Sequence, residues 1–460
     1  MTKNLVVVLL LAFSLVLPVH AQEYVSHGSF DRVALYRPSG VAEQFVLFLS
    51  GESGWDKRMD SAARALTKDG AMVAGIDMPR LRIALGKVGG DCVLPDGDLE
   101  NLSHYLQGYT RQPTYRTPLL VGYGSGAALA YTMQAVADKD TFAGAISLSF
   151  CPLLDLGKPL CERADRDFLK EAKGKVSVLS TVPELPQPWV VLQGLRDGSC
   201  AVATVREFVG QTHGAALRVL PVSRRDAWPE AALPALLASY RELSARHKAA
   251  QPPPPAKLID LPLIEMSAGG NSDTFAILLS GDGGWAGLDK QVAASLVAKG
   301  IPVVGFDSLR YFWKARDPDG LATDVDRIVR YYAAHWGKKR VLLIGYSQGA
   351  DVLPFAVNRL PAASRGLVAQ TVLMGLGQNA SFEFHLANWI GKDDGLPILP
   401  EAIRLNDADT LCLYGVDEED SLCPKIPPGH VHAQSLAGGH HFDGAYDKLA
   451  ELILQRAAKP

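Results

Sequence analysis

A chain of 460 residues, 48% hydrophobic and 21% charged, is long enough for two or three domains with substantial cores. Its formal net charge of -3 excludes an electrostatic case for nucleic-acid binding, and for general adhesion to an anionic membrane.

The first 21 residues read as a signal peptide: Lys3 is the positive n-region, residues 5–17 are apolar, and Val19-His20-Ala21 offers a cleavage site before Gln22. The apolar run is shorter than the ~20 residues a membrane span needs. Export makes disulfides the expected state of the six cysteines, Cys92, Cys151, Cys161, Cys200, Cys412 and Cys423. Cys412–Cys423 and Cys151–Cys161 are the expected pairs, since each closes a short loop. No paired C-x-x-C spacing suggests zinc.

The mature chain is one domain written twice. Residues 251–256, Gln-Pro-Pro-Pro-Pro-Ala, form a semi-rigid linker between a domain at 22–250 and one at 257–460. Phe-Val-Leu-Phe-Leu-Ser-Gly-Glu-Ser-Gly-Trp (45–55) parallels Phe-Ala-Ile-Leu-Leu-Ser-Gly-Asp-Gly-Gly-Trp (275–285), and Gly75-Ile76-Asp77 parallels Gly305-Phe306-Asp307, all at an offset of 230. Strand-like runs follow in matching order: 33–36, 45–49, 71–76, 119–122, 145–150, 189–193 and 217–222, then 258–266, 275–279, 301–306, 341–344, 371–374, 410–414 and 433–436. Helical patterns such as 289–298 and 324–335 lie between them. Mostly apolar strands alternating with helices predict an α/β fold, each domain a mainly parallel sheet with helices on both faces.

In the second domain Val-Leu-Leu-Ile runs into Gly345-Tyr346-Ser347-Gln348-Gly349, and residues 350–359 can be helical. A strand followed by Gly-x-Ser-x-Gly and a helix is a nucleophile elbow, whose tight turn needs small residues at Gly345 and Gly349. Ser347 is the expected nucleophile. The first domain has Gly124 there, with Ser125 one place late, and Arg224 in the region that holds His440. A degenerate, catalytically dead first domain is expected.

The acid should follow the strand at 410–414, where Asp417, Glu418, Glu419 and Asp420 compete. Matching Cys200 to Cys423 pairs Asp197 with Asp420, which favours Asp420 over Asp417. The histidine should follow the next strand, in Gly438-Gly439-His440-His441. His440 is preferred and His441 is the alternate; His385, His430 and His432 come too early. An oxyanion hole needs two backbone N–H donors. Gln348 supplies one, and Asp282 or Gly283 the other, in a glycine turn that Trp285 also packs. Ser347, Asp420 and His440 suffice for acyl transfer without a metal or organic cofactor.

Ser-Gly-Asp-Gly-Gly-Trp (280–285), Gly-Tyr-Ser-Gln-Gly-Ala-Asp (345–351), Asp-Ser-Leu-Cys-Pro (420–424) and Gly-Gly-His-His-Phe (438–442) together resemble the VirJ/AcvB family of virulence-associated bacterial proteins. The two-domain plan resembles its longer, AcvB-type members. The resemblance implies a periplasmic α/β-hydrolase that cleaves the aminoacyl ester of lysyl- or alanyl-phosphatidylglycerol. It implies Ser347 as nucleophile, with Asp420 and His440, a phospholipid substrate in the periplasmic leaflet, and for some members a secretion-system partner. Such a substrate carries an α-ammonium, for which Asp282 and Asp351 are candidates. Tyr311-Phe312-Trp313-Lys314 is an aromatic-basic cluster suited to a membrane surface, or to packing inward at a helix start. The rivals are an exported carboxylesterase or thioesterase with another substrate, and a non-enzymatic periplasmic adaptor.

Overall fold

The computed structural model describes residues 22–138, 141–163, 166–221, 230–250, 255–384 and 395–457. The expected signal peptide at 1–21, residues 251–254 of the proline run, Arg224 and His385 lie outside the described residues.

The strands in chain order are β1 (Glu23–His27), β2 (Phe30–Tyr36), β3 (Gln44–Leu49), β4 (Ala71–Ile76), β5 (Leu119–Tyr123), β6 (Ala145–Leu148), β7 (Leu153–Asp155), β8 (Leu169–Lys173), β9 (Val176–Leu179), β10 (Glu184–Gly194) and β11 (His213–Leu220) in the first half. The second half has β12 (Leu263–Met266), β13 (Thr274–Leu279), β14 (Val303–Phe306), β15 (Arg340–Tyr346), β16 (Val368–Met374), β17 (Asn379–Ala380), β18 (Leu396–Pro397), β19 (Thr410–Gly415) and β20 (His432–Leu436). The first large sheet has the order β1-β2-β4-β3-β5-β6-β10-β11, the second β12-β14-β13-β15-β16-β19-β20. Apart from the extra edge strand β1, the two orders coincide. In both, the second domain's β12 and the first domain's β2 run antiparallel to their neighbours, and the strands beyond run parallel. The chain is two tandem α/β-hydrolase-like domains. The small antiparallel sheet β7-β9-β8 follows β6, where the described residues of the second domain form the antiparallel pair β17-β18. Its short, half-polar strands gave no apolar run to read.

Why the central strands are apolar on both faces is plain in β13. Phe275, Ile277 and Leu279 pack on the face covered by the helices Pro318–Trp336 and Gln348–Arg359. Ala276 and Leu278 pack on the other, under Gly287–Ala298 and Tyr446–Ala457. With both faces covered, alternation has no polar side to occupy. The repeated glycine–tryptophan motifs have one structural cause. A Cβ at Gly75 would lie 2.4 Å from the Trp55 ring, and one at Gly305 would lie 2.6 Å from that of Trp285. Each tryptophan therefore lies flat on the backbone of the next strand, possible only over glycine.

Cys412–Cys423 forms as expected. The expected Cys151–Cys161 bond does not. Cys151 pairs with Cys200 and Cys92 with Cys161, across separations of 49 and 69 residues. Cys151 and Cys200 follow the ends of the adjacent parallel strands β6 and β10, so sheet neighbourhood, not chain proximity, joins them. The aromatic cluster at 311–314 is no exposed membrane patch. Tyr311 and Phe312 are buried, and Trp313 Nε1 donates to the Gln112 carbonyl of the first domain at 2.6 Å.

Candidate active site

Ser347 stands between β15 and the helix Gln348–Arg359 at φ 51°, ψ -121°. That left-handed turn is strained for a side chain and projects it from the sheet edge. A Cβ at Gly345 would lie 2.4 Å from the Gly349 carbonyl oxygen, and one at Gly349 would lie 2.2 Å from that of Leu279. Both glycines are required by contact, as the sequence predicted.

His440 Nε2 lies 3.0 Å from Ser347 Oγ, and His440 Nδ1 lies 2.5 Å from Glu418 Oε1. A carboxylate carries no proton to donate, so Nδ1–H donates to Glu418 and Nε2 is left to accept from the serine hydroxyl. The Glu418 carboxylate beside the ring raises the imidazole pKa, against the opposing effect of burial. Glu418 is itself held by the Gly415 N–H, which donates to its other oxygen at 3.3 Å.

The carboxylate that meets His440 is therefore Glu418, and the expected Asp420 does not reach the ring. Asp420 is exposed, and its backbone carbonyl accepts from Gln378 Nε2 at 2.6 Å. Asp417 is exposed too, with its backbone N–H on the Gly438 carbonyl. The physical reason is the disulfides. Cys200 and Cys423 have different partners, so matching them shifted the register. Matching the strand ends instead sets Gly194 against Gly415, both closing their strands, and Leu195 against Val416, whose N–H groups donate to Leu220 and Leu436. In that register Asp197 falls opposite Glu418. His441, the alternate base, turns away: its Nδ1 lies 3.0 Å from the Tyr346 hydroxyl. Burial and the neighbouring His440 lower its pKa.

Glycines let the histidine reach the serine. A Cβ at Gly415 would lie 2.2 Å from the Gly439 carbonyl oxygen, and one at Gly375 (φ 65°) would lie 2.7 Å from His440 Cε1. Gln348 opens its helix, where the N–H has no intrahelical partner and the helix dipole favours negative charge. A Cβ at Gly281 would lie 3.3 Å from Ser347 Cβ, so the loop bearing Asp282 and Gly283 passes beside the nucleophile.

Two more carboxylates converge here. Asp351 accepts the Gly377 N–H at 2.7 Å, and burial pushes its carboxyl up to about 8. Asp282 keeps solvent access in a recess, and its surroundings raise its pKa against the N–H groups of its own loop and His440. The charges of Asp351, Asp282 and Glu418 all act on His440.

The first domain has the same frame without the chemistry. Gly124 adopts φ 56°, ψ -118°, nearly the angles of Ser347. A Cβ there would lie 2.6 Å from Glu52 Oε2, so a carboxylate fills the serine's place. Ser149, at φ 56° in the position of Gly375, donates to Asp197 at 2.7 Å, taking the acid's histidine-binding oxygen. Introducing the missing serine should restore nothing: in a Gly124→Ser variant Glu52 should swing into solvent, and peptide mapping should find a fluorophosphonate on Ser347 alone.

Residues 273–459 match the family model described as the bacterial virulence protein VirJ. Comparison with curated proteins returns no match. Among solved structures, the chain is similar to an alpha-beta serine hydrolase homologue from Coxiella burnetii (16% identity, TM-score 0.31, covering 49% of this chain and 96% of that one). It is also similar to a dienelactone hydrolase from Anabaena variabilis (17% identity, TM-score 0.34, covering 49% and 96%). A third is a cold-adapted esterase from an Arctic intertidal metagenomic library (13% identity, TM-score 0.32, covering 46% and 87%).

Proposed function

We propose that this protein is an exported serine ester hydrolase whose second domain cleaves the aminoacyl ester of lysyl- or alanyl-phosphatidylglycerol. The observation that carries the hydrolase reading is the hydrogen-bonded series Ser347–His440–Glu418 on a strained elbow. The VirJ match over the same residues supports it, and three disulfides support an oxidising compartment such as the periplasm.

In the reaction, Ser347 Oγ attacks the ester carbonyl carbon while its proton passes to His440 Nε2. The Gln348 N–H, with that of Asp282 or Gly283, stabilises the oxyanion. Collapse breaks the bond to the lipid glycerol oxygen, which takes the proton from His440 and leaves as phosphatidylglycerol. A water, deprotonated by His440, then attacks the aminoacyl-serine and frees the amino acid. Glu418 holds the ring's tautomer and favours the imidazolium that forms.

Asp351 and Asp282 support a cationic acyl group. An ammonium beside Asp351 would stabilise the ionised carboxylate that burial now disfavours. The KM for lysyl-phosphatidylglycerol should therefore fall as pH rises toward 8, as Asp351 loses its proton. In Asp351→Asn, which can still accept from Gly377, that trend should vanish and KM should rise about tenfold, the loss of one charge-assisted hydrogen bond. The test is release of free amino acid from lysyl- and alanyl-phosphatidylglycerol in mixed micelles by residues 22–460. A protein that labels at Ser347 yet releases neither amino acid would have another ester as substrate.

A further inference from the structure

The first domain lacks a nucleophile, yet it reaches the second domain's site through one connected set of contacts. The Gln348 side chain donates from Nε2 to the Ser381 carbonyl at 3.2 Å, tying the residue after the nucleophile to the strap 381–384. The strap is fastened to the turn after Ser308–Phe312. The Phe384 N–H donates to the Phe312 carbonyl at 2.7 Å, and the Arg316 N–H to that of Phe382 at 2.9 Å. Phe382 packs edge-on against Phe312 and Phe355, with ring centroids 5.9 and 5.3 Å away.

That same turn carries Trp313 into the first domain. Its ring stacks on Phe384 at 4.8 Å and leans on Tyr115 at 5.6 Å, while its indole N–H donates to the Gln112 carbonyl at 2.6 Å. His104, buried in the first domain, meets both Tyr115 and Phe384 edge-on. A second point of contact lies at the start of the helix Gly287–Ala298, where a Cβ at Gly287 would lie 2.9 Å from Asp138 Oδ2.

We propose that this aromatic clasp makes the first domain a positioning domain for catalysis: through Trp313 and Phe384 it fixes the strap that anchors Gln348, and so keeps the oxyanion donor aimed. The inference rests on the hydrolase reading above. Trp313 and Phe384 are positioning residues, for neither is bonded to the Ser347–His440–Glu418 series. The sense of the effect follows from the chemistry. A donor that wanders costs more in the transition state, where charge develops, than in the ground state, so kcat should suffer rather than KM.

The experiment uses full-length mature protein, p-nitrophenyl acetate as an uncharged ester, and fluorophosphonate labelling at Ser347. Trp313→Ala should lower kcat about tenfold with KM within twofold. Trp313→Phe keeps the stacking but loses the bond to Gln112, and should recover part of the rate. The decisive arm is the double variant: once Gln348→Ala has removed the tether, adding Trp313→Ala should change kcat less than twofold. A folded Trp313→Ala enzyme with wild-type kcat, or an equal loss in both backgrounds, would overturn the clasp. A wild-type protein that neither cleaves the ester nor labels would overturn the hydrolase reading itself, and the clasp with it.

Discussion

Replacing Ser347 by alanine should abolish ester cleavage, with a loss of at least about ten-thousand-fold, the scale seen when a serine nucleophile is removed. The fold should not notice. The elbow angles come from the backbone packing of Gly345 and Gly349, and the hydroxyl contributes a single hydrogen bond, to His440. The melting temperature should stay within a few degrees, since one partly exposed bond is worth about 1 kcal/mol. Turnover measured beside a thermal melt checks both halves. Residual activity near wild type in a folded variant would remove Ser347 from the chemistry.

The second large effect separates carboxylates that the sequence could not. Glu418→Gln should cost roughly a thousandfold or more in kcat, because an amide can present the wrong group to Nδ1 and no longer stabilises the imidazolium. Asp420→Asn should stay within about twofold, since its side chain is exposed and only its backbone carbonyl is used. The pH profile makes the assignment sharper. The base must be neutral, so activity falls as pH drops through the His440 pKa, which Glu418 raises above its ordinary value. Without that carboxylate the largest effect holding the pKa up is gone, while burial still pushes it down. The acid limb of kcat/KM in Glu418→Gln should therefore lie at lower pH than in wild type. A limb that stays put in Glu418→Gln and moves in Asp420→Asn would return the role to Asp420.

The sequence carried most of the frame and part of the site. The second domain's sheet was legible because its central strands are buried on both faces: β13, β15 and β19 are apolar through their middles, and only their first residues, Thr274, Arg340 and Thr410, are polar. Ser347 was legible because Gly345 and Gly349 mark its turn, each held to glycine by backbone contacts of 2.4 and 2.2 Å, and His440 because Gly438 ahead of it takes φ 84°, a conformation that favours glycine. Glu418 was not. Four carboxylates within four residues share one composition, and which one faces the ring depends on the loop's path past Gly415. The cysteine match misled because a disulfide partner is a spatial fact; the strand ends, each closing in glycine, were the better anchor. At 311–314 the inward-packing alternative holds for Tyr311 and Phe312, which join the second domain's own core, while the cover of Trp313 comes from the other domain and leaves no local pattern to read.

The Ser149–Asp197 bond and the Glu52 carboxylate bear on how the first domain came to rest. Regaining a reactive centre there would take a serine at Gly124, a smaller residue at Glu52, a glycine at Ser149 to admit an imidazole, and a histidine to fill the space. No one of these helps without the rest, so selection sees no graded path back. The loss behaves as a ratchet. Once it had turned, the surfaces of the first domain were free to be kept for what they touch instead of what they could cleave.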